Sequence, residues 1–185
     1  SAPTGAGKTL VAEYAIADAV ARGRRCVYTA PIKALSNQKY ADFCRQFGVA
    51  DVGILTGDVK VNPSAPLLVM TTEILRNMFY TGGLNGLASV VLDECHYMGN
   101  EGRGTVWEEI IVNAPKDVRL VALSATVANV REIADWISLV HRPIVPVIHP
   151  HRPVPLRYLV CDQAGRVHSL DARQGKVTLP GPGGD

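Results

Sequence analysis

Short apolar runs alternate with segments of helical period along most of this chain. Residues 26–30, 52–55, 67–71, 89–92, 120–123 and 144–148 are rich in Val, Ile and Leu and show no polar alternation. Runs of this kind predict strands covered on both faces, because a strand with one wet face would alternate apolar and polar side chains. Between them, 8–21, 34–47, 72–79, 105–113 and 129–137 predict helices; Leu10, Tyr14, Ala17 and Ala21 fall at helical spacing, as do Val106, Ile110 and Ile111. Alternation of strand and helix implies right-handed crossovers and a mostly parallel sheet between helical layers. Ligands of such sheets bind beyond the carboxyl ends of the strands, where the polar motifs of this chain fall.

The pattern changes near Pro143. His149, Pro150, His151, Arg152, Pro153 and Pro155 interrupt regular structure, and Gly165, Gly175 and the glycines of 181–184 punctuate a polar tail. The expectation is an α/β body over 1–150 and a linker over 151–185 holding at most a hairpin or two. No internal repeat is visible.

Composition narrows the partners only slightly. With 19 Lys and Arg against 17 Asp and Glu the net charge is +2, so polyanion binding would have to come from a local basic cleft. Cys26, Cys44, Cys95 and Cys161 lie far apart without a CxxC pair, which excludes a zinc-ribbon spacing and a secreted disulfide framework. Reduced thiols in a cytoplasmic protein are expected. No apolar run is long enough to span a bilayer, and none has the form of a signal peptide.

The candidate chemistry begins at Ala2-Pro-Thr-Gly-Ala-Gly-Lys-Thr9, directly before the first helix. This is a P-loop pattern with Ala2 at the place of its first glycine. Thr4, Gly5, Ala6 and Gly7 form the turn whose N–H groups can face a phosphate, with the positive end of the helix dipole behind them. Lys8 can reach the β and γ phosphates, and the Thr9 hydroxyl can ligate Mg²⁺.

Asp93-Glu94-Cys95-His96 follows the run 89–92. Two adjacent carboxylates at the end of a buried strand are costly without a cation beside them. Mg²⁺ suits the site, held by Asp93, with Glu94 polarising an attacking water. Alone, the same residues read equally well as a solvated acidic turn; the P-loop upstream decides between the two. Cys95 reads as a small buried residue without chemistry. Ser124-Ala-Thr126, at the end of the next strand, is by itself as easily a turn or a helix cap.

These three signatures, in this order, resemble the first lobe of superfamily-two DExH-box helicases. Further segments narrow the resemblance: Thr29-Ala-Pro-Ile-Lys-Ala-Leu-Ser-Asn-Gln-Lys39, Gly53-Ile-Leu-Thr-Gly-Asp58 and Val69-Met-Thr-Thr-Glu-Ile-Leu75 look like nucleic-acid-contacting motifs. Arg103-Gly-Thr-Val-Trp-Glu108 is similar to the superkiller-type branch of RNA helicases. The resemblance spans about residues 1–160. It implies a RecA-like, three-layer P-loop NTPase fold that binds ATP and Mg²⁺ and works on single-stranded nucleic acid, RNA before DNA. Lys8, Asp93 and Glu94 would be catalytic, and His96, Ser124 and Thr126 would couple hydrolysis to movement. Pro31, Lys33, Thr56, Gly57, Thr71 and Thr72 would face the strand. Residue by residue, Lys33 is also readable as a surface lysine and Thr72 as a helix cap. Trp107 reads as core because it sits in a helix of apolar period, and Arg103 as a structural tie.

Against that family pattern, the apolar strand feeding the P-loop and the glutamine–arginine motif that supplies arginine fingers do not occur in this sequence. The expectation is therefore a sheet truncated at its N-terminal strand, with a hydrophobic slot or unpaired backbone beside its neighbours. A second lobe would complete the site. Two rival readings stand beside this one. A GTPase needs Asn-Lys-x-Asp for guanine, which is lacking, and a small-molecule kinase would lack the Asp-Glu-x-His and Ser-Ala-Thr pair. A non-catalytic module built on a decayed ATPase conflicts with the intact Lys8, Thr9, Asp93 and Glu94.

Overall fold

The computed structural model describes residues 1–99, 104–156, 158–161, 163, 165–171 and 176–177. Arg103, Gly175 and the glycines of 181–184 lie outside them. The chain divides into two compact units, Ser1–His151 and Arg152–Asp185.

The first unit runs α1 (Lys8–Ala21), β1 (Arg25–Ala30), α2 (Lys33–Phe47), β2 (Val52–Leu55), β3 (Lys60–Val61), β4 (Leu67–Thr71), α3 (Thr72–Thr81), β5 (Leu87–Leu92), a 3-10 turn (Cys95–Gly99), α4 (Gly104–Asn113), β6 (Arg119–Ala122) and α5 (Val130–Val140). The sheet order is β3-β2-β4-β1-β5-β6. Every pairing is parallel except that of the edge strand β3, which returns antiparallel along β2.

Period-2 geometry sends successive side chains to opposite faces, and both faces are apolar. Val27, Leu68, Met70, Val90 and Leu92 pack on one side with Leu75, Trp107, Ile110 and Ile137, beneath α3, α4 and α5. Tyr28, Val69 and Val91 pack on the other with Ala12, Ile16 and Phe43, beneath α1 and α2. This is the three-layer α/β arrangement that the continuous apolar runs require. Trp107 is buried in that core, as its helical period implies.

Two expectations are corrected. The helical period of α1 is right, but its buried face is Ala12, Ala15, Ile16 and Ala19. Leu10 and Tyr14 are exposed. Residues 144–148 form no strand. Instead, Ser1 N donates to Val147 O at 2.7 Å and His149 N to Ser1 O at 2.9 Å. An apolar composition suits a strand but cannot make one without several consecutive backbone partners. Beside this segment an apolar cavity of about 390 Å³ opens between β6, α5 and residues 144–147, with Lys8, His96 and Ser124 on its wall.

Within the second unit, β7 (Leu159–Cys161) pairs antiparallel with β8 (Val167–Asp171), and β8 with β9 (Lys176–Val177). No helix among the described residues is long and apolar enough to cross a membrane.

Candidate functional site

Five parallel strands end on one edge of the sheet, and the polar motifs follow them. Thr56 leaves β2, Thr72 leaves β4 and Pro31 leaves β1, while Asp93 follows β5 and Ser124 lies just beyond β6. The edge therefore has two halves: β5 and β6 beside the glycine loop, and β1, β4 and β2 beyond it.

The loop of the first half depends on left-handed backbone. Gly5 has φ 84° and Gly7, the residue preceding α1, φ 78°, values that cost any residue with a Cβ and cost glycine nothing. The turn closes by Ala6 N to Pro3 O at 3.2 Å and delivers the chain into α1 with the N–H groups of Lys8 and Thr9 in its first turn, where no intrahelical acceptor exists. No side chain caps this helix. The Lys8 ammonium folds over the loop, donating to Ala2 O at 2.9 Å and Pro3 O at 3.2 Å. A helix start with no side-chain cap and a cation nearby is the arrangement that suits an anion.

Backbone bonds lock this loop to the carboxylates. Ala2 N donates to Ser124 O at 3.1 Å, Leu123 N to Leu92 O at 2.9 Å, Cys95 N to Leu123 O at 2.9 Å and Asp93 N to Thr29 O at 3.1 Å. The Asp93 carboxylate is held at both oxygens: Oδ1 accepts from Glu94 N at 2.9 Å and Oδ2 from the Tyr28 hydroxyl. Burial, and then the charge of Asp93 beside it, pushes the Tyr28 phenol far above its ordinary range, so it serves as a neutral donor. Glu94 adopts φ 52°, a conformation uncommon outside glycine that turns the chain sharply after Asp93.

His96 stands between two motifs. Its Nδ1 lies 3.2 Å from Glu94 Oε2 and 3.4 Å from the Ala125 N–H. One ring nitrogen serves one of them at a time: protonated it donates to Glu94, bare it accepts from Ala125. Ser124 is buried and its Oγ donates to Ala125 O at 2.8 Å, while Thr126 is exposed. Burial pushes the Cys95 thiol up to about 11, which leaves it protonated and inert near neutrality.

In the second half, Lys33 opens α2 and meets Asp58 at 3.1 Å. Thr56 Oγ1 donates to the same carboxylate at 2.9 Å and accepts from Val59 N at 3.2 Å. Gly57 lies against the Lys33 head, since a Cβ there would come within 3.7 Å of its Nζ. Lys33, Thr56 and Gly57 thus form one cluster. Pro31 and Thr71 sit beside it through the β1–β4 register, in which Ala30 faces Thr71. Thr72 is wholly buried and Thr71 nearly so, so neither presents an exposed hydroxyl at the edge. Two pairings carried no signal in the sequence. Tyr28 is one aromatic residue in a buried strand, and Asp58 one acid in a turn; their partners Asp93 and Lys33 are distant in sequence.

A glycine loop opening a helix, with paired carboxylates at the end of a parallel strand beside it, defines the P-loop nucleotide-binding class of α/β proteins. Within that class the chain belongs to the DEAD/DEAH box helicase family, which matches residues 1–133. It is 53% identical over 157 residues to a probable helicase, HelY, of Mycobacterium tuberculosis, covering 84% of this chain and 17% of the relative. It is 48% identical over 181 residues to the chloroplastic DExH-box ATP-dependent RNA helicase DExH15 of Arabidopsis thaliana, covering 94% and 16%. To the exosome RNA helicase MTR4 of Mus musculus it is 49% identical over 168 residues, covering 89% and 16%. The chain therefore spans about a sixth of the length of these relatives.

Proposed function

We propose that this chain is the ATP-binding lobe of an ATP-dependent helicase acting on single-stranded RNA, with turnover completed by a second lobe of the same protein. The observation that carries the reading is the backbone lacing of the glycine loop to the Ser124 loop, from Ala2 to Ser124, and of the carboxylate loop to that same loop, from Cys95 to Leu123.

The donor set fits the nucleotide and its metal. The start of α1, from Gly7 to Thr9, and the Lys8 ammonium offer an anion site for the β and γ phosphates. Thr9 and Asp93 present hard oxygen donors, and no cluster of three or more His, Cys, Asp or Glu among the described residues forms a cage. That sparseness suits Mg²⁺, which is held by one or two protein oxygens plus phosphates and water. When bound, Mg²⁺ neutralises charge developing on the phosphates. Glu94 orients the attacking water and takes its proton, while Lys8 neutralises phosphate charge. His96, which must choose between Glu94 and Ala125, links the state of the carboxylate pair to the Ser124–Thr126 loop.

Lys33, Thr56, Gly57 and the helix starts that follow Pro31 and Thr71, the second opened by Thr72, would meet phosphates of the strand. Contacts of this type carry no base information, which suits a motor that steps along any sequence. RNA is preferred because two of these relatives are named RNA helicases and because 103–108 resembles the superkiller-type branch. The test is ATPase activity of the full-length protein with and without single-stranded RNA, beside Lys8→Ala. Lys8→Ala should weaken Mg-ATP binding roughly ten- to hundredfold, the scale of a lost charge-assisted hydrogen bond. ATPase activity indifferent to RNA and to Lys8 would refute the reading.

A further inference from the structure

Tyr28 is wholly buried in β1, and its ring meets Phe43 of α2 edge-on at 5.1 Å between centroids. Packing alone would be satisfied by phenylalanine, because a buried hydroxyl is costly unless it finds a partner. Its partner is Oδ2 of Asp93. With Asp93 N bound to Thr29 O and Oδ1 bound by Glu94 N, the phenol closes the last rotational freedom of that carboxylate. A carboxylate has about four lone-pair sites; these two donors engage two and leave the others for a metal or its waters.

The layer continues to the other oxygen donor. Lys39 of α2 holds its Nζ 6.0 Å from the Tyr28 ring centroid and 3.5 Å from Thr9 Oγ1. Asp93 and Thr9 are thus each backed by a residue of one Tyr28–Lys39 pair. We propose that Tyr28 is a positioning residue for magnesium-nucleotide binding, fixing the Asp93 carboxylate in the orientation that receives the metal. The inference rests on the reading of Asp93 as the metal carboxylate. It adds to that reading a residue whose motif neighbours are otherwise assigned to the nucleic acid. Outer partners that orient a ligating carboxylate typically change metal affinity about 10- to 100-fold when removed.

The experiment uses the full-length protein, a fluorescent ATP analogue and two titrations: nucleotide in EDTA, and Mg²⁺ at fixed nucleotide. Tyr28→Phe keeps the ring and loses the donor. It should bind the analogue in EDTA as the wild type does, and require about tenfold more Mg²⁺ for half-maximal response. Added to Asp93→Asn, Tyr28→Phe should shift the Mg²⁺ curve no further. An unchanged Mg²⁺ curve, or weaker binding in EDTA as well, would overturn the proposal, the second because it marks the ring as merely structural. Asp93→Asn is the separate control. If that variant titrates with Mg²⁺ like the wild type, the metal-site reading itself fails, whatever Tyr28→Phe does.

Discussion

Lys33 spends its charge on Asp58, a carboxylate of its own chain, at the place where a strand phosphate is proposed to sit. The hydrogen bond from Lys33, and then that from Thr56, hold the Asp58 carboxyl below its ordinary value of 3.8. A depressed value means that the pair is charged throughout the range above 3.8 and is lost only as pH falls through the lowered value. Acidification within the working range therefore cannot free Lys33, but a substitution can. Asp58→Asn should tighten binding of single-stranded RNA by about two- to fivefold at low salt, the modest gain expected of an exposed pair. The gain should fade as salt rises, because both side chains are more than half exposed and are screened. Fluorescence anisotropy across a salt series measures it; an affinity unmoved at every salt would place Lys33 off the strand path. At this scale the sequence marks candidate residues where they are neighbours in the chain, as in Gly5 to Thr9 and Asp93 to His96. It is silent on the pairings of Tyr28 with Asp93 and of Asp58 with Lys33, which only the folded sheet brings together.

Elements show the same division. Runs with no polar alternation predicted β1, β2, β4 and β5 closely, because strands buried on both faces need nothing but apolar side chains; β6, less buried, falls within one residue of its run as well. The two-residue β3 is exposed on both of its side chains and leaves no such trace. Residues 144–148 have the composition without the ladder. The junction between the 3-10 turn and α4 deserves a test of its own. Gly104 opens α4 so close to the turn that a Cβ there would collide with Met98 O. That turn begins at Cys95, directly after the carboxylate pair, so backbone displaced at Met98 has a short path to Glu94. Gly104→Ala should cost about 1–3 kcal/mol, the usual penalty of overpacking, read from the midpoint of denaturant unfolding of the full-length protein. It should also raise the Mg²⁺ needed for nucleotide binding. Wild-type stability in Gly104→Ala would show that the α4 start is looser than its geometry implies.

For the whole molecule, the proposed chemistry is divided. In that proposal this lobe supplies the phosphate cradle, the carboxylate pair and one half of the strand surface. The glutamine–arginine motif of the family does not occur in its sequence. Arginine fingers are worth on the order of 10³–10⁵ in rate. Residues 1–185 alone should therefore bind Mg-ATP weakly and turn it over at least about 10³ times more slowly than the full-length protein, with or without RNA. Brisk RNA-stimulated hydrolysis by the lone lobe would contradict the division of labour. The most direct test of the central claim, that the carboxylate pair after β5 hydrolyses ATP, is steady-state RNA-stimulated ATPase of full-length Glu94→Gln, with Mg-ATP binding measured in parallel. The amide keeps the shape of Glu94 and loses the base, so binding should persist while turnover falls by about 10²–10⁴. Turnover at the wild-type rate with binding intact would show that Glu94 is not the base.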